Sequence, residues 1–385
     1  MAQVVSTVTA MTGLFGGAFR ERRVFLTGHT GFKGAWLALW LTEMGAQVTG
    51  FALAPPTTPS LFELAGVESR LWRHVISDVR DRDALVAAMA DARPDIAIHL
   101  AAQPLVRLSY EQPVETFDTN VMGVVHFFEA VRATNSVRVA INVTSDKCYE
   151  NRESERAYRE DDAMGGFDPY SASKGCSELV TAAYRRSFLG ADSGVRVASV
   201  RAGNVIGGGD WAADRIIPDS VRALAAGDPI VVRNPDAVRP WQHVLEPLAG
   251  YLWLGARMLR EGRRYEGAWN FGPTDQAGDH SVRWVVERFL GEWGTGSWVT
   301  AGTKGPKPHE AHRLSLDSAK AREQLGWAPT WDAQTAVRRT AAWYREYYRA
   351  PAAARNLVED QIRAYQEDAR TAGLPWAAAE TGNGR

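Results

Sequence analysis

The run Arg22-Arg23-Val24-Phe25-Leu26-Thr27, then Gly28-His29-Thr30-Gly31-Phe32-Lys33-Gly34, then Ala35-Trp36-Leu37-Ala38-Leu39-Trp40-Leu41, decides the fold class. A short β-branched and aromatic segment, a glycine-rich turn and an apolar helix former follow one another, which reads as strand, tight loop and helix. Glycines in such a loop let backbone amides approach a pyrophosphate at the positive end of the helix dipole. An ordinary glycine turn would carry similar letters, but a strand before it and a helix after it favour the dinucleotide reading. Outward from this unit the alternation continues. Strands are expected at 47–52, 95–100, 137–144 and 195–201, and helices at 35–44, 113–133 and 170–188. That order predicts an α/β protein with a Rossmann-type, doubly wound parallel sheet.

A second stretch, Tyr170-Ser171-Ala172-Ser173-Lys174, supplies chemistry. Tyrosine and lysine four apart share a helix face, so the Lys174 ammonium is expected to lower the Tyr170 phenol pKa and make it a general base near neutral pH. Ser145 ends the apolar run 137–144, and strand ends are where α/β sheets place ligands. Its hydroxyl can bridge Tyr170 and a substrate oxygen. The tyrosine and lysine spacing alone arises by chance in many chains, and its weight comes from this company.

Composition excludes several other classes. The 385 residues carry 44 basic and 45 acidic side chains, a net charge of −1, so no global basic field argues for nucleic acid or an anionic membrane surface. Residues 1–20 lack a basic segment before an apolar core, and no apolar run reaches about 18 residues, so neither a signal peptide nor a membrane span is expected. Cys148 and Cys176 form neither a disulfide framework nor a metal site by themselves, and a cytoplasmic location with reduced thiols is expected. A zinc reading of His309 and His312 fails for lack of further ligands at usual spacing, so no metal is expected. Many of the 14 tryptophans, Trp36 and Trp40 among them, are expected in the core or at an oligomer surface.

Several longer motifs extend the reading. They are Thr27 through Gly34, with glycines at every third position; Pro59-Ser60-Leu61-Phe62-Glu63; Thr144-Ser145-Asp146-Lys147-Cys148-Tyr149-Glu150-Asn151; and Asp168 through Cys176. Arg201-Ala202-Gly203-Asn204-Val205-Ile206-Gly207-Gly208-Gly209-Asp210-Trp211 and Arg239-Pro240-Trp241-Gln242-His243-Val244 continue them. From about Phe15 to Trp331 the chain resembles the extended short-chain dehydrogenase/reductase superfamily, and within it the sugar-nucleotide 4,6-dehydratases, nearest to those handling CDP-glucose.

The resemblance implies a hydro-lyase using NAD. C4 of the hexose is oxidised as Tyr170 takes the hydroxyl proton, water is lost across C5 and C6, and the stored hydride returns to C6. Ser145, Tyr170 and Lys174 would serve the redox step. Asp146 stands where these dehydratases carry the acid for the departing hydroxyl, although a turn-capping carboxylate is the plainer alternative. Lys147 stands where many of them carry a glutamate base for C5. It would act as the base, or stabilise the enolate while another group takes the proton. For the cofactor, the resemblance implies Gly28, His29, Thr30, Gly31, Phe32, Lys33 and Gly34 at the pyrophosphate. It places Asp78 and Val79 beside the adenine, Leu100, Ala101 and Ala102 along the backbone, and Asn120 holding an active-site helix open. Phe51-Ala52-Leu53-Ala54-Pro55-Pro56 has no carboxylate for a ribose 2′-hydroxyl, so NAD rather than NADP rests on the resemblance alone. Gln103, Arg201, Asn204, Arg239, His309 and Arg313 are the expected substrate contacts, the arginines as forks for phosphate oxygens.

The expected organisation is a Rossmann domain over 15–203, with 243–268 returning to it, and a smaller substrate lobe over 204–242 and 269–345. Residues 1–14 and 350–385 are expected as peripheral or frayed ends. The partner implied is CDP-glucose, with a homodimer or homotetramer as assembly. Rival readings are a dehydratase or 4-epimerase of another nucleotide-sugar, and a non-catalytic NAD sensor.

Overall fold

The structure, a computed structural model, describes residues 13–153, 156–274, 280–302 and 314–378. In chain order its main elements are β1 (Arg23–Thr27), α1 (Phe32–Glu43), β2 (Gln47–Ala52), β3 (Arg73–Ile76), α2 (Arg82–Ala92), β4 (Ile96–His99), α3 (Gly123–Ala133), β5 (Val139–Val143), α4 (Pro169–Ser187) and β6 (Arg196–Ala202). There follow β7 (Val205–Ile206), α5 (Ile216–Ala226), β8 (Ile230–Val232), β9 (Gln242–His243), α6 (Leu245–Glu261), β10 (Gly267–Phe271), α7 (Val282–Trp293), β11 (Trp298–Thr300), α8 (Ala333–Arg349) and α9 (Ala354–Thr371).

Seven strands form one parallel sheet in the order β10-β6-β5-β4-β1-β2-β3. β4 and β5 are buried along their whole length and mostly apolar, broken only by the buried His99 and Asn142, as a sheet covered by helices on both sides requires. The strand order reverses between β1 and β4, and that switch point opens a crevice at the carboxyl ends of both strands. The glycine loop leaves β1 there, and Ser145 leaves β5 on the same edge.

Three expectations shift. The helix expected over 113–133 is broken into Pro113–Phe117, a π-helical turn Asp118–Met122, and α3. Asn270 and Phe271, expected to open the lobe, instead complete β10 and pair in register with Arg201 and Ala202 of β6. Residues 354–377, expected as a peripheral or frayed end, are helical and docked on the core. Val358, Ile362, Tyr365 and Trp376 are fully buried, and Trp376 stacks on Phe15 with ring centroids 5.1 Å apart. The apolar face of α9 had α1 as its partner, and an alanine- and charge-rich composition hid it. Outside the large sheet, β8 pairs with β11 and β7 with β9.

Candidate active site

The crevice is lined by the glycine loop, residues 100–108, the turn after β5, the start of α4, and residues 202–219. Gly28 has φ +74°, and a Cβ there would meet the Ala101 amide nitrogen at 2.7 Å; a Cβ on Gly34 would meet the Gly28 carbonyl oxygen at 2.1 Å. Loop, neighbouring strand end and helix start therefore touch backbone to backbone, which only glycine permits. At Gly31 the nearest such neighbour is the Gly28 carbonyl at 3.4 Å, so the loop stays open on the crevice side. This cradle at the N-terminus of α1 fits a dinucleotide pyrophosphate. Thr30 braces it by donating its hydroxyl to the Leu53 carbonyl, 2.9 Å away.

At the end of β5 the Ser145 hydroxyl caps a 3-10 turn, Asp146–Cys148. It accepts from the Lys147 amide (3.2 Å) and donates to Asp146 Oδ1 (2.9 Å). Asp146 is buried, and its Oδ2 has no protein partner. Burial raises its pKa; the Lys147 charge, the Ser145 hydrogen bond and the Arg239 charge pull the other way without overcoming it. A buried carboxyl of raised pKa with one oxygen lacking a protein partner has the character a general acid needs. Lys147 also lines the crevice.

Tyr170 and Lys174 share the inner face of the first turns of α4, which starts at an Asp168 cap accepting from the Ser171 amide at 2.9 Å. The expected lowering of the phenol pKa is corrected here. Burial pushes Tyr170 up to about 12, while the Ser145 hydrogen bond and the Arg215 charge lower it and Asp146 raises it. Lys174 is not among the strongest influences on it. Its Nζ donates to the Val143 carbonyl at 3.4 Å, and burial lowers its own pKa to about 8.

Gly28, Thr30, Gly31, Phe32, Lys33, Gly34, Asp78, Val79, Leu100, Ala101, Ala102, Gln103, Asn204 and Arg239 all line the crevice with the catalytic residues. Asp78 is engaged by Arg80 through its guanidinium (2.6 and 2.9 Å) and its amide (2.9 Å). Gln103 spends its amide on its own loop, on Leu105 and on Thr116, so its side chain shapes the wall more than it offers a free contact.

His29 and Arg201 stand elsewhere than expected, and Asn120 sits in the π-turn that interrupts its helix. His29 turns under the sheet, packing beneath Gly50, where a Cβ would meet the imidazole at 2.5 Å, and bonding His74 at 2.7 Å. Asn120 lies behind the crevice in the π-turn. It accepts from the Gln103 amide (2.8 Å) and donates to the Gln103 carbonyl (3.0 Å) and the Ser173 hydroxyl (2.9 Å), so it positions a loop against the catalytic helix. Arg201 is corrected from substrate contact to interior post. Its fork clasps Glu178 at 2.9 and 2.8 Å and reaches the Tyr149 hydroxyl at 2.5 Å, all buried. His309 and Arg313 fall outside the described residues.

Sequence reasoning missed Arg215, which lines the crevice, bonds Asp210 at 2.8 Å and bears on Tyr170. It also missed Asp214, which joins Arg107 (3.1 Å) to Arg233 across the mouth. Position was the available signal: Asp214 and Arg215 sit between the glycine-rich motif ending at Trp211 and an amphipathic helix.

The family model for GDP-mannose 4,6 dehydratase matches residues 25–340. The chain is 51% identical over 336 residues to CDP-glucose 4,6-dehydratase of Salmonella typhimurium, covering 86% of this chain and 92% of that protein. The solved structure of DesIV, a dTDP-glucose 4,6-dehydratase from Streptomyces venezuelae with NAD and TYD bound, superposes with a TM-score of 0.69 at 26% identity, covering 86% of this chain and 99% of that one. Epimerase Mth375 from Methanothermobacter thermautotrophicus shares the fold, with a TM-score of 0.73 at 20% identity over 90% of this chain and 97% of that one.

Proposed function

The chain belongs to the GDP-mannose 4,6 dehydratase family, and from that premise we propose that it is an NAD-dependent hydro-lyase converting CDP-D-glucose to CDP-4-dehydro-6-deoxy-D-glucose. Asp146 carries the dehydratase reading within the site. A 4-epimerase has no hydroxyl to expel, whereas here a buried carboxyl of raised pKa, one oxygen of which has no protein partner, lines the crevice beside Ser145. The identity of 51% to the Salmonella enzyme supports the cytidine sugar over other nucleotides.

When bound, NAD supplies the two-electron oxidation at C4 and its return at C6. The chain's own groups move the protons. Tyr170 takes the C4 hydroxyl proton, with Ser145 bridging phenol and substrate oxygen; the positive charge of an oxidised nicotinamide, added to that of Arg215, works against the burial that holds the phenol up. Asp146 gives its proton to the C6 oxygen, which leaves as water. We assign Lys147 to the C5 proton or to the enolate it leaves, because its side chain is the cation next to Asp146 on the crevice wall. Asn204 and Arg239 remain the substrate contacts of choice, joined by Arg215.

Among the described residues no helix is long and apolar enough to cross a membrane. A cytoplasmic location fits the two free cysteines. We also propose a homodimer. Its face would be formed by α4 and the packed segment before α3, where Val114 (82% exposed), Leu179 (60%), Phe117 and Met122 are apolar and open.

Turnover of a panel of CDP-, dTDP-, UDP- and GDP-hexoses, followed by an alkali-labile 4-keto product, tests the function. CDP-glucose should lead by at least about tenfold in kcat/KM, a gap of about 1.4 kcal/mol. Comparable turnover of dTDP-glucose would sink the cytidine assignment and leave the dehydratase reading standing.

A further inference from the structure

The turn that carries Ser145, Asp146 and Lys147 is held at both ends by one buried ion pair. At its entrance, Thr144 donates its hydroxyl to Glu178 Oε1 at 2.5 Å. At its exit, Tyr149 follows the last residue of the 3-10 turn, and its hydroxyl accepts from Arg201 Nη1 at 2.5 Å. Glu178 and Arg201 clasp each other at 2.8 and 2.9 Å, and both are buried. With Ser199 donating to Oε2 at 2.6 Å, each oxygen of Glu178 accepts from two donors. Burial opposes the Glu178 charge, but the Arg201 charge and the hydrogen bonds from Arg201, Ser199 and Thr144 outweigh it and lower the pKa, so the pair is ionised across the neutral range.

The same carboxylate belongs to the catalytic helix. Tyr170, Lys174 and Glu178 follow one another at intervals of four on the buried face of α4. Tyr149 is fixed from further sides: its hydroxyl donates to Asn270 Oδ1 of β10 at 2.7 Å, and its ring stacks on Tyr158 with centroids 5.2 Å apart. A buried ion pair contributes little net stability, because desolvation offsets the attraction. What this one contributes is placement, since it takes hold of the residues on either side of the acid turn.

We propose that the Glu178–Arg201 pair is a clamp that sets the acid turn against the base helix, with Thr144 and Tyr149 as positioning residues at its two ends. The inference rests on the dehydratase reading above and deepens it. Thr144 adjoins Ser145, which serves the C4 step with Tyr170. Tyr149 lies on the side of Asp146 and Lys147, which serve the loss of water. The two ends therefore govern different steps.

Thr144→Val and Tyr149→Phe each delete one hydroxyl and leave the ion pair whole; in Tyr149→Phe, Arg201 Nη1 keeps the Glu160 carbonyl at 3.2 Å. Single turnover of CDP-glucose by the full chain with NAD separates the steps. In Tyr149→Phe, C4 oxidation should run within about twofold of wild type while dehydration slows roughly tenfold, so that reduced cofactor accumulates. In Thr144→Val, C4 oxidation itself should slow roughly tenfold without that accumulation, and Thr144→Ser, which restores the hydroxyl, should recover it. The KM for CDP-glucose should stay within about twofold of wild type throughout. In the free chain, amide hydrogen exchange over residues 144–150 should quicken in Tyr149→Phe. Wild-type rates in both variants, or equal slowing of both steps in each, overturn the proposal. So does a KM raised about tenfold in Tyr149→Phe, which would make that hydroxyl a substrate contact. If Tyr149→Phe fails to fold, Thr144→Val and Thr144→Ser carry the test, and equal C4 oxidation rates in the two overturn the clamp. Wild type that forms no 4-keto product from CDP-glucose would overturn the dehydratase reading, and the clamp with it.

Discussion

Asp146 is one covalent step along the chain from Ser145, yet the two side chains do different work because one oxygen of the carboxyl is committed and the other is not. Asp146→Asn keeps the shape and cannot deliver a proton. It should leave C4 oxidation in place, so that single-turnover absorbance at the reduced-cofactor band builds up while product formation falls by about 10²-fold or more. Dehydration at the wild-type rate would make Asp146 a structural cap. Lys147→Met should slow exchange of the C5 hydrogen with deuterated solvent, which Asp146→Asn need not do; unchanged exchange would move the search for the base to Glu150, which also lines the crevice. Arg201 is the opposite case. Removing a buried cation from its carboxylate leaves Glu178 uncompensated, so Arg201→Met should lower stability by about 3–5 kcal/mol in denaturant titration and leave the KM of any surviving enzyme close to wild type. A large rise in KM at unchanged stability would restore it as a substrate contact. Spacing in the sequence pointed to Tyr170, Lys174 and Ser145 because a helix face and a strand end are local geometry. It could not say whether the Arg201 fork would meet a phosphate or Glu178, since that partner arrives through the packing of α4 on β6.

Elements carry the same lesson at longer range. The strands of the sheet were legible because apolar runs bounded by glycine and polar turns are a local signal. The break in 113–133 was not, because the π-turn answers a tertiary demand, the reach of Asn120 to Gln103 and Ser173. Nor was the docking of α9, whose apolar side chains look sparse until α1 is placed against them. That interface holds a buried conflict. Glu43, at the last turn of α1, has its pKa raised to about 7 by burial first and the Glu359 charge second, against the pull of Arg70 and Arg363. A carboxyl raised in the folded state binds more protons there than in the unfolded chain. Its cost is therefore absent below the unfolded value near 4.5 and complete above about 7. Glu43→Gln should raise stability by about 1–2 kcal/mol at pH 8 and make no difference at pH 4.5, read as paired melting curves. A gain of equal size at both pH values would mean that packing, and not ionisation, sets the effect.

At the scale of the whole molecule, one edge of one sheet gathers the site: β1 brings the cradle, β5 the acid, α4 the base and the residues after β6 the wall toward the lobe. The catalytic helix is thus fixed on its inner face by the chemistry, while its outer face presents Leu179 to solvent. In the proposed homodimer a second copy of the same face would cover Val114, Phe117, Met122 and Leu179 with two-fold symmetry. If this is the dimer surface, assembly also buttresses the helix that holds Tyr170 and Lys174. The double variant Val114→Arg, Leu179→Arg places like charges against each other across the two-fold axis and should sediment at half the wild-type mass. Its melting transition should become independent of protein concentration, because the linkage between assembly and folding is gone. Activity should fall with it, through kcat more than KM, since the base sits on the unsupported helix and the nucleotide contacts do not. A wild-type chain that sediments as a monomer at micromolar concentration, or a double variant that remains dimeric, would remove this face from the assembly and leave its apolar residues to another contact.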